Sequence, residues 1–151
     1  MSDLLDTLRG PVLLVATVAA GLQAGTYYTW ACGVMPGLAR TDDHTFTSSM
    51  NHINVAIVNP VFMLTFLGAP ALAALSVATT TSGARAWAIT GLVLALGTVV
   101  VTAAGNVPLN DALAAGGSRA AFEDAWVRWN ILRTLTSTGA LACLAWAAWK
   151  S

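Results

Sequence analysis

Charge is what this sequence has least of. Only 9% of its 151 residues are Asp, Glu, Lys or Arg, seven acidic against seven basic, while 56% are hydrophobic. A water-soluble domain carries about a quarter charged residues. So few charges cannot coat a water-facing surface, so lipid must be the solvent for most of the chain. With zero net charge and no basic run, the electrostatic footprint of a nucleic-acid binder is missing. Cysteine is scarce too, with only Cys32 and Cys143. They fall near opposite ends of the apolar segments that hold them, beyond the roughly 7 Å Cα separation that a disulfide allows. That argues against a quinone-reducing thiol–disulfide oxidoreductase. Phosphate loops, serine triads and nucleotide fingerprints are also lacking. The first residues carry Asp3 and Asp6 where a secretory leader would be basic, which reads as a retained first helix.

Long apolar runs are what is there. A membrane span needs about 20 predominantly apolar residues. Four segments qualify, near Gly10–Val34, Asn54–Thr79, Ala84–Ala104 and Trp126–Trp149. Lipid-exposed backbone must be helical unless it closes a barrel, and the period-two alternation of barrel strands is absent. The expectation is an all-α bundle of four transmembrane helices forming a single membrane domain over residues 1–151. The polar connections at 35–53 and 105–125 fall on one side, and a tight turn joins helices two and three on the other. Arg9, Arg85 and Lys150 balance Arg40, Arg119 and Arg128, so basic residues do not set the orientation. The acidic residues gather on the long-connection side, which places both termini in the cytoplasm, and the composition reads as that of a bacterial inner-membrane protein.

Two halves of the chain resemble each other. Gly33 to Pro36 recurs as Gly105 to Pro108, and Phe46, Met50 and Asn54 recur as Phe122, Trp126 and Asn130. The pattern fits two duplicated helical hairpins related by an axis along the membrane normal, as in parallel transporter repeats. Chance likeness between short apolar patterns is the alternative.

At about 100° per residue, each helix gathers its polar, aromatic and small residues on one face. These faces hold Gln23, Tyr27 and Trp30 in helix one; Asn51, Asn54, Asn59, Phe62 and Phe66 in helix two; Gly91, Thr98, Thr102 and Gly105 in helix three; and Trp126, Trp129, Asn130, Arg133 and Ser137 in helix four. Arg133 lies about two turns inside helix four. A charge at such depth costs about 2.5–3.5 kcal/mol on insertion scales, so it must face inward and be paired. The expected partners are Asp111 or the side-chain carbonyl of Asn54 or Asn59. Arg133 reads either as an anchor for a substrate anion or as a structural charge. The inward asparagines read either as interhelical hydrogen-bond partners or as ligand contacts. Asn59, just before Pro60, also fits a kink.

His44 and His52 are the metal or haem candidates. Eight residues apart on a helix, they stand about 12 Å apart, too far to share an ion without a third ligand. Histidine exchanges protons near neutral pH, so His52 also reads as a proton acceptor. The Gly21-x-x-x-Gly25 pair allows close packing against a neighbouring helix, in this chain or in a homo-oligomer.

The strings VMPGL (Val34–Leu38), SMNHIN (Ser49–Asn54), NPVF (Asn59–Phe62), NVPLNDAL (Asn106–Leu113) and WVRWNILRT (Trp126–Thr134) resemble those of one family. It is a large family of small four-helix membrane proteins that includes the anthrone oxygenases of polyketide pathways. Asn51 stands where that family usually has Gln, a departure that bears on substrate contacts. For some members the resemblance implies oxidation of an anthrone to an anthraquinone by molecular oxygen, with no recognised cofactor. By motif position it carries over Asn54, Asn59, Asn106, Asn110, Asp111, Trp126, Trp129, Asn130 and Arg133.

The expected mechanism gives proton abstraction to Asp111 or His52 and the developing oxyanion to Arg133 and Asn130. Tyr27, Trp126 and Trp129 would wall a flat pocket, with Asn54, Asn59, Asn106 and Asn110 as further contacts. The expected partners are the bilayer, a lipophilic aromatic molecule and oxygen. Two rival readings remain at this point. One is a small transporter or binding protein for a lipophilic ligand; the other is a metal- or haem-dependent membrane oxidase using His44 or His52.

Overall fold

The computed structural model describes residues 2–151, and among them there are helices and no strands. Helix α1 (Ser2–Thr29) continues through a π-helical turn (Trp30–Val34) into the short α2 (Met35–Leu38). Then come α3 (Asp43–Ile57), α4 (Pro60–Thr79) and α5 (Ser82–Val101). A second π-helical turn (Thr102–Asn106) leads into α6 (Val107–Ala114), and α7 (Arg119–Trp149) closes the chain. Four stretches are long and apolar enough to cross a membrane: Asp6–Leu38, Pro60–Thr79, Gly83–Ala114 and Arg119–Trp149. The protein is an all-α, four-span integral membrane bundle.

Its core has the character expected where lipid is the solvent. Lipid tails are as apolar as leucine, so helices associate through close packing of small residues. Ala16, Ala20, Ala73, Ala84, Ala88 and Ala147 are buried between the spans, together with Leu13 and Leu144. The bulky Leu14, Val18, Leu64, Val93 and Leu135 project outward.

Two boundaries differ from the sequence expectation. The second span begins at Pro60, not near Asn54, because the chain breaks at Val58–Asn59. Proline pushes the preceding residue out of helical geometry, and Asn59 is extended (φ −124°, ψ 161°). Its side chain accepts from the Val61 and Phe62 N–H groups, both at 3.0 Å, and donates to the Ala56 carbonyl at 2.9 Å. It caps α4 on one side and holds the end of α3 on the other. Asn51 and Asn54 therefore belong to a separate helix. The connections at 35–53 and 105–125 are also largely helical. Their apolar faces bury Met35, Phe46, Met50 and Leu113 against Trp30, Phe122 and Trp126.

The repeat seen in the sequence has a counterpart in the backbone. Each half carries a five-residue π-helical turn, Trp30–Val34 or Thr102–Asn106, that ends two residues before Pro36 or Pro108. Each then starts a capped helix. Asp42 accepts from the Thr45 N–H, and Ser118 accepts from the Ala121 N–H. The two halves meet where Phe46 packs edge-on against Phe122 at 6.1 Å. Arg119 fastens them. It pairs with Glu123 (2.7 Å) and Asp43 (3.2 Å), donates to the carbonyls of Ala39 and Thr41, and covers the Phe46 ring.

Candidate functional site

Below this cap, a cavity of about 250 Å³ opens among the spans. Tyr27 and Trp30 line it from the first span, and Asn54, Ile57 and Val58 from the end of α3. Phe62, Met63 and Phe66 come from α4, and Thr102, Val107 and Asn110 from the second π-helical turn and α6. Trp126 and Arg133 complete it from α7. Such a volume lies near the lower edge of the roughly 300–1,000 Å³ typical of small-molecule sites. Its walls are largely aromatic and aliphatic, with a few converging polar groups.

Arg133 is 7% exposed and is the charged residue of this cavity. The expected ion pair with Asp111 is absent: among the described residues no carboxylate lies within ion-pair distance of Arg133. Its guanidinium instead lies over the rings of Tyr27 (4.6 Å) and Trp126 (5.1 Å), and Nη2 donates to Asn130 Oδ1 at 3.0 Å. Cation–π contacts strengthen when desolvated, to about 2 kcal/mol or more, so two rings replace a counter-ion. Arginine also spans a donor set too wide for one acceptor, and its Nε is buried without a partner.

Asn130 is structural in this arrangement. Its Oδ1 accepts from Arg133 while its Nδ2 donates to the Tyr27 carbonyl at 3.2 Å. These two bonds fix the orientation of the amide between Arg133 and the first span. The network continues through the Tyr27 hydroxyl, which donates to Gln23 Oε1, and Gln23 Nε2, which donates to Thr65 Oγ1, both at 2.8 Å. Asn54 is different, because its Nδ2 is buried and unpartnered. The Arg133 Nε and the Asn54 Nδ2 are thus two free donors on residues of one cavity. A buried donor left unpaired costs about 1–3 kcal/mol, which an acceptor oxygen on a ligand would recover.

The other candidates scatter. Asn110 lines the cavity and accepts from Trp126 Nε1 at 2.9 Å, fixing that indole. Asn106 is buried outside it, donating to the Trp126 carbonyl at 3.3 Å, with Oδ1 unpartnered. Asn59 is the exposed helix joint described above, not a cavity contact. Trp129 is 38% exposed and covers Gly105 from outside the cavity lining. A Cβ at Gly105 would overlap the Trp129 ring.

Asp111 and His52 are both exposed and neither lines the cavity. His52 sits in a separate shallow pocket with Asn51. Its Nδ1 lies 2.7 Å from the Ser48 carbonyl, which can only accept, so Nδ1 carries the hydrogen. His44 is exposed as well. Among the described residues no three His, Cys, Asp or Glu side chains come together as metal ligands, so neither histidine gains the third ligand it would need.

Sequence reasoning placed Thr102 on an inward face but missed Ile57, Met63 and Val107 as lining residues. These three are apolar, and only the meeting of α3, α4 and α6 brings them to one cavity. Phe62 and Phe66 were visible as an i, i+4 pair, and they stack at 5.5 Å.

The fold and the cavity define a class: a small integral membrane protein with a largely aromatic cavity and, among the described residues, one buried arginine. The family model for anthrone oxygenase matches residues 48–143. The chain belongs to the anthrone oxygenase family. No curated protein and no solved structure matches it.

Proposed function

We propose that the protein is a membrane-embedded oxygenase that uses molecular oxygen to oxidise a lipophilic, anthrone-like aromatic substrate. The observation that carries this reading is the pair of unpartnered donors, Arg133 Nε and Asn54 Nδ2, on two residues that line one largely aromatic cavity. An anthrone has an acidic methylene, and losing that proton places negative charge on its carbonyl oxygen. Donors aimed at that oxygen lower the barrier by stabilising charge as it develops. The flat rings would lie among Tyr27, Trp30, Phe62, Phe66 and Trp126.

The reaction balances with dioxygen as oxidant. The enolate gives one electron to oxygen, the resulting pair couples at the former methylene carbon, and protonation yields a hydroperoxide. Cleavage of the O–O bond and loss of the remaining C–H proton leave a quinone carbonyl and water. Anthrone plus dioxygen thus gives anthraquinone plus water. The expected acceptors of the first proton are Asp111, next in sequence to the lining residue Asn110, and His52, two residues before Asn54. Both are exposed and neither lines the cavity, so either would receive the proton only after it has left the site.

Oxygen uptake by purified protein with an anthrone, above the rate of spontaneous autoxidation, tests the reading. Arg133→Ala should cut turnover by about 10²–10³-fold, the loss typical of one oxyanion donor. Arg133→Lys should restore little, since an ammonium cannot spread over two rings and reach Asn130 at once. A carrier for the same ligand would bind it and consume no oxygen, and that result would sink the oxygenase reading.

A further inference from the structure

The residues that line the cavity are not equally covered. Tyr27 and Trp30 from the first span, and Trp126 and Arg133 from α7, are all buried. By contrast, Val58 is 69% exposed and Val107 is 43% exposed, although both line the same cavity. A residue that lines a cavity and also faces outward stands at its mouth. The mouth therefore lies between the α3–α4 joint, which contains Val58, and the start of α6 at Val107.

The exposed residues flanking these two in sequence are apolar. Val55 and Val61 stand on either side of Val58, and Ala103 and Ala104 precede Val107. Asn59, beside Val58, has its amide bonded to the backbone of the joint. Val107 belongs to the apolar stretch Gly83–Ala114, and the stretch beginning at Pro60 starts two residues after Val58. The nearest charge along α6 is Asp111, one turn and about 6 Å further on. The cap end is closed instead. Trp30, Phe46, Phe122 and Trp126 are packed there in one buried cluster, and Arg119 ties α7 to Asp43 and to the carbonyls of Ala39 and Thr41.

A lipophilic molecule concentrates in hydrocarbon rather than in water, and the open side of this cavity is the apolar one. We propose that the cavity is loaded sideways from the bilayer, by a flat lipophilic molecule passing between Val58 and Val107. That this molecule is an anthrone rests on the oxygenase reading, but the route can be measured separately.

The full chain would be held in lipid nanodiscs under nitrogen, where anthrone can bind without being oxidised. Quenching of Trp30 and Trp126 fluorescence would follow its arrival. Val58→Phe and Val107→Phe narrow the mouth, so each should slow association and dissociation together, several-fold. Faster dissociation with unchanged association would mean that the new rings merely crowd the cavity, and would overturn the proposal. Phe46→Leu loosens the cap and should leave association unchanged. Faster association in that variant would point to entry from water and would also overturn it.

A nitroxide attached at Val58→Cys or Val107→Cys, in a Cys32→Ser background, reports which solvent the mouth faces. Oxygen dissolved in the bilayer should relax it more than a water-soluble nickel chelate does, and the opposite order would overturn the proposal. Slowed binding in a protein that takes up no oxygen when air is admitted would keep the route and reject the oxygenase reading. Oxygen uptake with association unaltered in both phenylalanine variants would do the reverse.

Discussion

The two halves of this protein place the same kinds of residue at matching positions and use them differently. Asp42, Phe46, Met50 and Asn54 stand 76 residues before Ser118, Phe122, Trp126 and Asn130. In the second half the helix runs on unbroken as α7, so Asn130 sits deep in the bundle and both ends of its amide are bonded. In the first half the chain breaks at Val58–Asn59, and Asn54 near the break keeps a free donor. Ile57 holds the place that Arg133 holds in the other copy. The unbroken helix carries the buried charge with its amide partner, and the broken one leaves a donor unpaired. The cavity lies where the two differ.

The sharpest way to test that contrast is to remove both asparagines in turn. Asn54→Leu should lower turnover by about 10²-fold, as loss of one oxyanion donor does, while leaving stability almost unchanged. Asn130→Leu should instead destabilise the protein by about 1.5–3 kcal/mol, the range for hydrogen bonds to charged groups, measured by unfolding in mixed micelles. If the two variants behave alike, the division of labour between the halves is wrong.

The glycines of the two π-helical turns give a second contrast. Gly105→Ala would drive a methyl into the Trp129 ring, whereas a methyl at Gly33 meets nothing within 4 Å. Overpacking of that kind costs about 1–3 kcal/mol. An exposed substitution away from any special feature changes stability by about 0.5 kcal/mol or less. Thermal unfolding should separate the two variants clearly, and equal midpoints would mean that Trp129 is free to move aside.

The smallest effect should come from the helix caps. Asp42 accepts from both the N–H and the hydroxyl of Thr45, and these bonds hold its carboxyl below the ordinary value of 3.8. A carboxylate whose pKa is depressed on folding stabilises the fold above its unfolded pKa, and this stabilisation is lost as pH falls through the folded pKa. Ser118, the matching cap, does not titrate. Acid should therefore loosen the start of α3 before the start of α7, as amide hydrogen exchange at Thr45 and Ala121 would report. Asp42→Ser should abolish that difference.

Much of this was legible in the sequence because it is local. The four spans follow from apolar length, and the inward stripe of α7, with Phe122, Trp126, Asn130, Arg133 and Ser137 all buried, follows from helical periodicity. Arg133 had to face inward because no lipid-facing position could carry it. What periodicity could not supply was the identity of its partner. Asp111 was the nearest acidic candidate by type, yet two rings and one amide satisfy the guanidinium. The expected helical face through Asn51, Asn54 and Asn59 failed because Pro60 made Asn59 a cap.

The sequence by itself determined the solvent, the number of spans, the buried arginine and the family, since each depends on composition, spacing or motif along one stretch of chain. Only the tertiary structure decided which polar groups are already satisfied and which remain free. Hydrogen-bond partners come from helices far apart in sequence, so whether an asparagine is structural or available depends on how those helices meet. That is why Asn130 and Asn54, alike in the sequence pattern, part company in the folded bundle.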